Sequence, residues 1–336
     1  MNSSILILSL FIILNLILII TFKKNKFFHM IMDKPDGVRK FHISPTPLAG
    51  GIIIFINLIL YSTIFIFDKN FFPQEIFFKN DKIFFSFIFS LTSIFILGII
   101  DDKINLNPTL KFLILLLIIF FLLKYDESLI LKNIEISFFS NQINIGKYGF
   151  FFSLFCFLVF LNAFNMFDGI NLQSSLYSII IFVNILYYSE TSILICLFLI
   201  SIISFSFLNF KNLTFLGDNG TLIIGFSISY FFIKLYNLKN ITFADEIVLY
   251  MLIPGLDLIR LFIIRIINKK NPLKPDRLHL HHLLLEKYSY KKTLIILLAL
   301  LSAPIILNYL GINLFMIILS TVLIYFSTVI KISKKS

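Results

Sequence analysis

The chain has 336 residues, of which 58% are hydrophobic, 43 are phenylalanine and only 14% are charged, and its mean hydropathy is +0.95. This balance is typical of proteins with many membrane-spanning helices, and it excludes a soluble globular protein. The net charge of +11 does not indicate nucleic-acid binding, because the basic residues are spread over short loops between apolar segments.

Apolar segments follow one another along the whole chain, and a helix of about 20 such residues crosses a bilayer. The predicted spans are 4–22, 48–67, 83–100, 109–123, 149–167, 172–188, 191–209, 220–237, 246–267, 293–309 and 312–330. The first lacks the basic lead-in and the small-residue cleavage site of a signal peptide, so we interpret it as a membrane anchor. Cys156 and Cys196 lie inside apolar runs and indicate neither a disulfide nor a metal site. The sequence therefore predicts an all-α polytopic membrane protein with eleven spans in one domain, 1–336.

Lysine and arginine collect on alternate loops. Loops 23–47, 101–111, 210–219 and 260–292, with the tail 331–336, hold 21 of the 29 basic residues. Alternate loops share one side of the membrane, and the excess of positive charge assigns that side to the cytoplasm. The N-terminus is then periplasmic and the C-terminus cytoplasmic. On the opposite side, alternating apolar and polar residues predict a small periplasmic β-hairpin near 129–146.

Five aspartates fall on the predicted cytoplasmic side, at or just inside the ends of four spans. They are Asp101, Asp102, Asp168, Asp218 and Asp257. Any one of them alone is most simply a solvated loop residue or a helix cap, but five on one side predict a shared site. Close carboxylates repel one another unless a cation lies between them, and hard oxygen ligands select Mg²⁺, with Mn²⁺ as the alternative. Because Mg²⁺ commonly also binds substrate phosphates, a phosphate or diphosphate substrate is implied.

Two predicted cytoplasmic loops supply positive charge for such a substrate. The candidates are Arg39, Lys40 and His42 in "DKPDGVRKFHISPTPLAGG", and Lys274, Arg277, His279, His281 and His282 in "NPLKPDRLHLHHLLLEKY". A zinc site is an alternative for the three histidines, but no cysteine lies near them. A basic loop that only sets topology or contacts anionic lipid explains the lysines and not the histidines.

Six ordered segments carry a resemblance to a known family: "DKPDGVRKFHISPTPLAGG", "DDKINLNPTLKF", "NAFNMFDGIN", "FLGDNGT", "PGLDLIRLFIIR" and "PDRLHLHHLLL". Together they resemble polyprenyl-phosphate N-acetylhexosamine-1-phosphate transferases (glycosyltransferase 4 type). The WecA-like branch, which starts O-antigen, common-antigen and teichoic-acid linkage synthesis, is more similar than the phospho-MurNAc-pentapeptide transferases. The resemblance implies a Mg²⁺-dependent enzyme of the bacterial inner membrane with its active site facing the cytoplasm. Such enzymes move a HexNAc-1-phosphate, with GlcNAc as the first expectation, from a UDP-sugar to undecaprenyl phosphate and release UMP.

The resemblance also implies roles for individual residues. The metal ligands would be Asp218, Asn165 and Asp168, and the catalytic residues Asp101, Asp102, Asp168 and His279. The substrate-binding residues would be Arg39, His42, Lys111, Asn162, Asn165, Asn171, Asp257, Arg277, His281 and His282. The catalytic loops would be 23–47, 101–111, 165–173, 210–221 and 265–292. Whether Asp101 or Asp102 is the base, and whether the reaction passes through a phospho-enzyme, stays open, and a homodimer is compatible with the family.

The chain departs from the family pattern after "DG". There the family continues with a second Asp followed by Gly-Leu, whereas this chain has Asn171, Leu172 and Gln173. Asn171 retains the ability to hydrogen-bond the imide edge of a base, because an amide is both donor and acceptor. Thr221 replaces the common Ser after "GDNG" and keeps the hydroxyl group.

Two other classes of protein share some of these features. A secondary transporter or lipid-linked-sugar flippase also has many helices and intramembrane acids. It would tend to place its key charges near mid-span, whereas these lie at one set of ends. A non-catalytic scaffold for envelope assembly would need none of the acids. The sequence therefore favours the enzyme.

Overall fold

The computed structural model describes residues 2–35, 44–72, 75–190, 192–269 and 277–333, and these form a bundle of α-helices. The helices are α1 (Asn2–Thr21), α2 (Gly50–Phe67), α3 (Asp81–Ile104), α4 (Pro108–Tyr125), α5 (Gly149–Phe167), α6 (Gln173–Tyr188), α7 (Ile193–Phe210), α8 (Gly217–Asn237), α9 (Ala244–Ile267), α10 (Leu280–Lys287), α11 (Tyr290–Tyr309) and α12 (Leu314–Ser333). Two antiparallel pairs of two-residue strands accompany them: β1 (Met32–Asp33) with β2 (Thr46–Pro47), and β3 (Asn133–Ile134) with β4 (Ile143–Asn144).

Each predicted span overlaps a different helix, and α10 is an additional short helix within a predicted loop. Among the described residues, nine helices are long and apolar enough to cross a membrane, which confirms a polytopic membrane protein. The remaining two of the eleven are α6, which has 16 residues, and α8, which carries two charged residues. The count of eleven spans and their orientation therefore stay predictions.

A tight turn joins α3 to α4. Asn105 ends α3 in the left-handed conformation, with φ of 50°, which asparagine tolerates better than most residues. Asn107 then accepts a hydrogen bond from the backbone of the first turn of α4, directly before Pro108. Because only three residues separate the two helices, Asp101 near the end of α3 lies beside Lys111 near the start of α4.

Helix α8 lies in the centre of the bundle. Residues Asn219–Tyr236 are all buried, and α8 packs against α2, α3, α5 and α6. Outer helices such as α1, α4 and α12 leave much of their apolar surface exposed, as expected for contact with lipid. We call the end of the bundle that carries Asp101, Asp102 and Asp218 the site end. The opposite end, with β3 and β4, is the hairpin end.

A buried ion pair fixes α8 at the hairpin end. Lys234 Nζ lies 2.8 Å from Asp126 Oδ2, and the Tyr230 hydroxyl donates to the same oxygen at 3.2 Å. Ser128 contacts both charged groups. Because a buried charge without a partner is strongly destabilising, this pair holds the end of α8 against the segment that follows α4.

The hairpin predicted near 129–146 is present but short. Asn133 pairs with Asn144 and Ile134 pairs with Ile143, and the turn between them is irregular. Outside these two pairs the segment is mostly irregular. Leu131 N and Glu135 N donate to side chains of α5 and α8, while Lys132 O accepts from Ile145 N at 2.8 Å across the hairpin.

Candidate active site

The segment before α2 is joined to the start of α8. Phe215 N donates to Pro47 O at 2.9 Å, and Gly50 N donates to Phe215 O at 3.1 Å. The end of the first predicted catalytic loop is therefore held beside the "GDNGT" motif. Arg39 and His42 lie outside the described residues, and their roles stay predictions.

Glycines allow α2 and α3 to approach the first turn of α8 very closely. A methyl group at Gly98 would lie 2.4 Å from Asn219 Cα, and one at Gly51 would lie 2.4 Å from Gly220 N. Backbone atoms cannot move aside as a flexible side chain can, so a larger residue at either position would push the helices apart. The glycines therefore bring the acidic end of α3 to the start of α8.

Asp102 caps α8. Its Oδ1 accepts a hydrogen bond from Asp218 N at 2.7 Å, and its Oδ2 accepts from Asn219 N at 3.0 Å and from the Asn219 amide. The first N–H groups of a helix have no partner within it and carry partial positive charge, so a carboxylate is favourable there. Both oxygens of Asp102 are thus engaged in positioning Asp218.

We expect Asp102→Ala to lower the free energy of unfolding by about 2 kcal/mol, because it leaves buried N–H groups without an acceptor. Asp102→Asn keeps one acceptor oxygen and should lose less. Thermal unfolding in detergent, compared with Asp81→Ala at the opposite end of α3, measures both effects. Equal unfolding temperatures for all three variants would show that the cap contributes nothing.

Lys111 joins two of the predicted acids. Its Nζ lies 2.7 Å from Asp101 Oδ2 and 2.9 Å from Asp218 Oδ2. Asp101 also accepts a hydrogen bond from Leu106 N at 2.7 Å. The side chain of Asp218 is 31% exposed, whereas that of Asp101 is 8% exposed. Asp218 is therefore the acid of this pair that a ligand reaches from solvent.

The end of α5 brings Asn165 and Asp168 to the same place. The Thr221 hydroxyl, in the first turn of α8, donates to Asn165 Oδ1, and the Ser174 hydroxyl donates to Asp168 Oδ1. Burial raises the pKa of Asp168 to about 6; the Ser174 hydrogen bond acts in the opposite direction, and the negative charge of Asp102 adds to the increase. A cation bound beside Asp168 would therefore favour its ionised form.

Asp257 orients His279. Its Oδ2 lies 2.8 Å from His279 Nδ1, and its Oδ1 accepts hydrogen bonds from Arg260 Nη2 at 2.8 Å and from the Tyr325 hydroxyl at 2.7 Å. All four residues are buried. Because Nδ1 is engaged, His279 has its Nε2 for other partners. Asp257, predicted to bind substrate, is enclosed by donors of its own chain and lies behind His279.

Helix α10 places His281 against Gly169. A methyl group at Gly169 would lie 1.9 Å from His281 Nε2, and the rings of His279 and His281 are parallel within 10°, with centroids 5.5 Å apart. Burial, with His282 and His279 nearby, holds the pKa of His281 well below its usual range, so this imidazole is neutral. The contact joins the segment with His279, His281 and His282, here called the histidine loop, to the turn at Asp168 and Gly169.

Other predicted substrate-binding residues have different surroundings. Asn162 donates to a carbonyl of its own helix at 2.7 Å. The amide of Asn171, predicted to face a base, is bonded to Asn209 and Asn212. Arg277 is exposed just before the histidines. Lys111 and Asp102 therefore contact Asp218 directly, and Lys111 also contacts Asp101. The amides of Asn162 and Asn171 are instead hydrogen-bonded to groups of the chain itself.

Several residues of the site were not selected from the sequence. Arg260 lies one helical turn after Asp257, and Asn219 is adjacent to Asp218, so local spacing would have indicated both. Tyr325, which bonds to Asp257, is 68 residues away from it in the chain, and no sequence signal connects the two.

The oxygen donors of this region could hold a magnesium ion together with a substrate. In the part of the chain that the structure describes, no group of three histidine, cysteine or acidic side chains forms a ready-made metal cage. Mg²⁺ needs no such cage, because it commonly binds one or two carboxylates and completes its shell with water and phosphate oxygens. Asp218, Asp168 and the Asn165 amide are donors of this hard kind.

Comparison with known proteins agrees with the motifs. The model of glycosyl transferase family 4 matches residues 84–236, which include Asp101, Asp168 and Asp218. An undecaprenyl-phosphate alpha-N-acetylglucosaminyl 1-phosphate transferase from Thermotoga maritima is 28% identical over 293 residues, which are 87% of this chain and 83% of the relative. Both matches support the resemblance seen in the sequence to the polyprenyl-phosphate N-acetylhexosamine-1-phosphate transferases.

Proposed function

We propose that this enzyme transfers GlcNAc-1-phosphate, or a closely related HexNAc-1-phosphate, from a UDP-sugar to undecaprenyl phosphate and releases UMP. The product starts a cell-envelope glycan such as O-antigen. The site end faces the cytoplasm of a bacterial inner membrane, which the excess of lysine and arginine in the loops at this end supports. The named Thermotoga maritima relative supports the choice of lipid and sugar.

One observation carries the proposal: acids and cations from distant parts of the chain meet at one end of the bundle. Lys111 bridges Asp101 and Asp218, and His281 lies against Gly169 of the "NAFNMFDGIN" segment. A diphosphate carries several negative charges, and its transfer depends mainly on positioning and on compensation of those charges. Here an accessible carboxylate that can hold a metal ion lies next to a lysine, and the histidine loop lies against Gly169. Together these groups can position a diphosphate and compensate its charge.

The proposed reaction forms one bond and breaks one. An oxygen of the lipid phosphate attacks the sugar-linked phosphorus of the UDP-sugar, and the bond from that phosphorus to the bridging oxygen breaks, so that UMP leaves. Mg²⁺, when held by Asp218 and Asp168 with the Asn165 amide, would compensate the charge that develops on the diphosphate. Lys111 and His279 would contact phosphate oxygens from the protein side.

Asp101 and Asp102 have different roles in this proposal. Asp102 has both oxygens on the first turn of α8, so it positions Asp218. We place the general base that keeps the lipid phosphate ionised at Asp101, which takes no part in the cap of α8 and whose Oδ2 contacts Lys111. A covalent phospho-enzyme on Asp101 is the alternative route.

Purified protein in detergent with undecaprenyl phosphate, Mg²⁺ and a panel of UDP-sugars labelled in the sugar phosphate tests the proposal. We expect a labelled lipid that forms with one or more UDP-HexNAc donors, is lost when EDTA is added and returns with Mg²⁺ in excess. A transporter or flippase would form no labelled lipid under any of these conditions. Product from UDP-glucose alone would contradict the acetamido sugar, and product formation in EDTA would contradict the metal.

A further inference from the structure

The tip of the hairpin carries two exposed aromatic side chains. Phe138 and Phe139 lie in the turn between β3 and β4 and are 49% and 59% exposed. The ring centroid of Phe138 is 4.9 Å from that of Phe315 in the first turn of α12. A phenylalanine ring has no polar atom to bond with water, so two adjacent exposed rings indicate another partner.

The hairpin is fastened to the ends of α8 and α9. Ala244 N donates to Glu135 O at 2.8 Å, and Ser137 N donates to Asp245 Oδ1 at 3.0 Å. Glu135 N donates to the Tyr236 hydroxyl at 2.8 Å. Because these bonds attach the residues that follow β3 to the ends of α8 and α9, the tip has a fixed position relative to the bundle.

The tip contacts α12 at the end of the bundle where exposed tyrosines collect. Exposed tyrosines occur where four helices reach the hairpin end: Tyr125, Tyr148, Tyr187 and Tyr309. Tyrosine is enriched at membrane–water interfaces because its ring is apolar and its hydroxyl is polar. Phe315 follows Tyr309 by six residues, and exposed Met316 and Leu319 extend the apolar surface along α12. The tip is thus continuous with the surface that faces lipid.

We propose that Phe138 and Phe139 insert into the interfacial layer of the bilayer leaflet at the hairpin end and anchor the hairpin there. A second copy of the chain could cover the same rings. The bilayer is the partner that the structure favours, because the tip joins the lipid-facing surface of α12. Since the hairpin is bonded to the ends of α8 and α9, this contact fixes the depth of both helices in the membrane.

The absence of tryptophan from the sequence allows a direct test. Phe139→Trp gives the chain a single tryptophan, whose emission is excited selectively over that of the 13 tyrosines, and the full-length variant is reconstituted into phosphatidylcholine–phosphatidylglycerol vesicles. We expect blue-shifted emission, strong quenching by lipids brominated near the top of the acyl chain, and weak quenching by iodide. Lys132→Trp, at an exposed position just before β3, is the matched control and should show emission typical of water and strong quenching by iodide.

Each alternative result has a defined meaning. Equal quenching by iodide at the two positions would overturn the proposal, since the tip would then lie in water. Blue-shifted emission without quenching by brominated lipid would also overturn it and would indicate a protein partner, which dilution of the protein within the vesicles would identify as a second copy. If Phe139→Trp fails to fold, Phe138→Trp serves as the reporter, with thermal unfolding as the check.

Discussion

Asp218→Asn is expected to lower the rate of labelled-lipid formation by at least about 100-fold, the usual effect of removing one preorganised electrostatic group from an active site. Asp218 is the solvent-accessible acid beside Lys111, and its backbone N–H is held by Asp102. The amide has nearly the same shape but lacks the charge that would bind a cation. The assay is the one described for the proposed function, repeated over a range of Mg²⁺ concentrations.

The effect of Asp218→Asn should be confined to catalysis. Lys111 keeps Asp101 as a partner, so we expect a change of less than about 1 kcal/mol in the free energy of unfolding. Asp81→Asn, which removes an exposed acid at the opposite end of α3, is the control and should retain full activity. A variant at Asp218 with more than a tenth of the normal rate and an unchanged Mg²⁺ requirement would show that another residue holds the ion.

Gly169→Ala is expected to lower the rate by about 100-fold, because displacement of a catalytic group by about 1 Å has an effect of that size. The new methyl group would lie 1.9 Å from His281 Nε2, so the buried His281 ring, or the helix that carries it, must shift away from the Asp168 turn. His279, parallel to His281 and 5.5 Å from it, would move as well. Rates of lipid-product formation at saturating donor measure the loss.

Gly255→Ala is the matched control for this substitution. Gly255 lies in α9, and a methyl group there would meet no atom within 4 Å. Alanine should leave the rate unchanged and, through its higher helix propensity, stabilise the protein by up to about 1 kcal/mol. If displacement of His281 is the cause, Gly169→Ala should cause little further loss in a His281→Ala background. Full activity of Gly169→Ala in the native background would show that the contact is unimportant.

The helices were predictable from the sequence because a bilayer imposes one simple demand, a long apolar segment for each crossing. Helix α8 is less apolar than a typical span, since Asp218 and Lys234 lie near its ends and several polar residues lie between them. Its place in the centre explains this pattern, because a helix surrounded by other helices need not be apolar for lipid. Helix α10 was not predicted, because eight residues rich in histidine and leucine carry no span signal.

The meeting of the acids was predictable, but the partner of each acid was not. Alternating loops place Asp101 and Asp218 on one side of the membrane, and the structure joins them through Lys111. Asp102 caps α8 only because Gly98 lets α3 approach the start of α8 closely. This approach is a property of packing and cannot be seen in the local sequence pattern. The hydrogen bond from Tyr325, in the last helix, to Asp257 likewise depends on packing and could not be predicted from the sequence.

Helix α8 has a further consequence for the cell. Asp218 and Lys234 lie sixteen residues apart, a distance of about 24 Å along a helix, and the residues between them are buried. The Asp218 carboxylate is 31% exposed, while the Lys234 ammonium is neutralised inside the protein by Asp126. A core of this kind is a barrier of low dielectric constant, which ions and protons cross only at high energy. A protein built around it can therefore carry charged groups at both ends of α8 without opening a path for ions through the bundle.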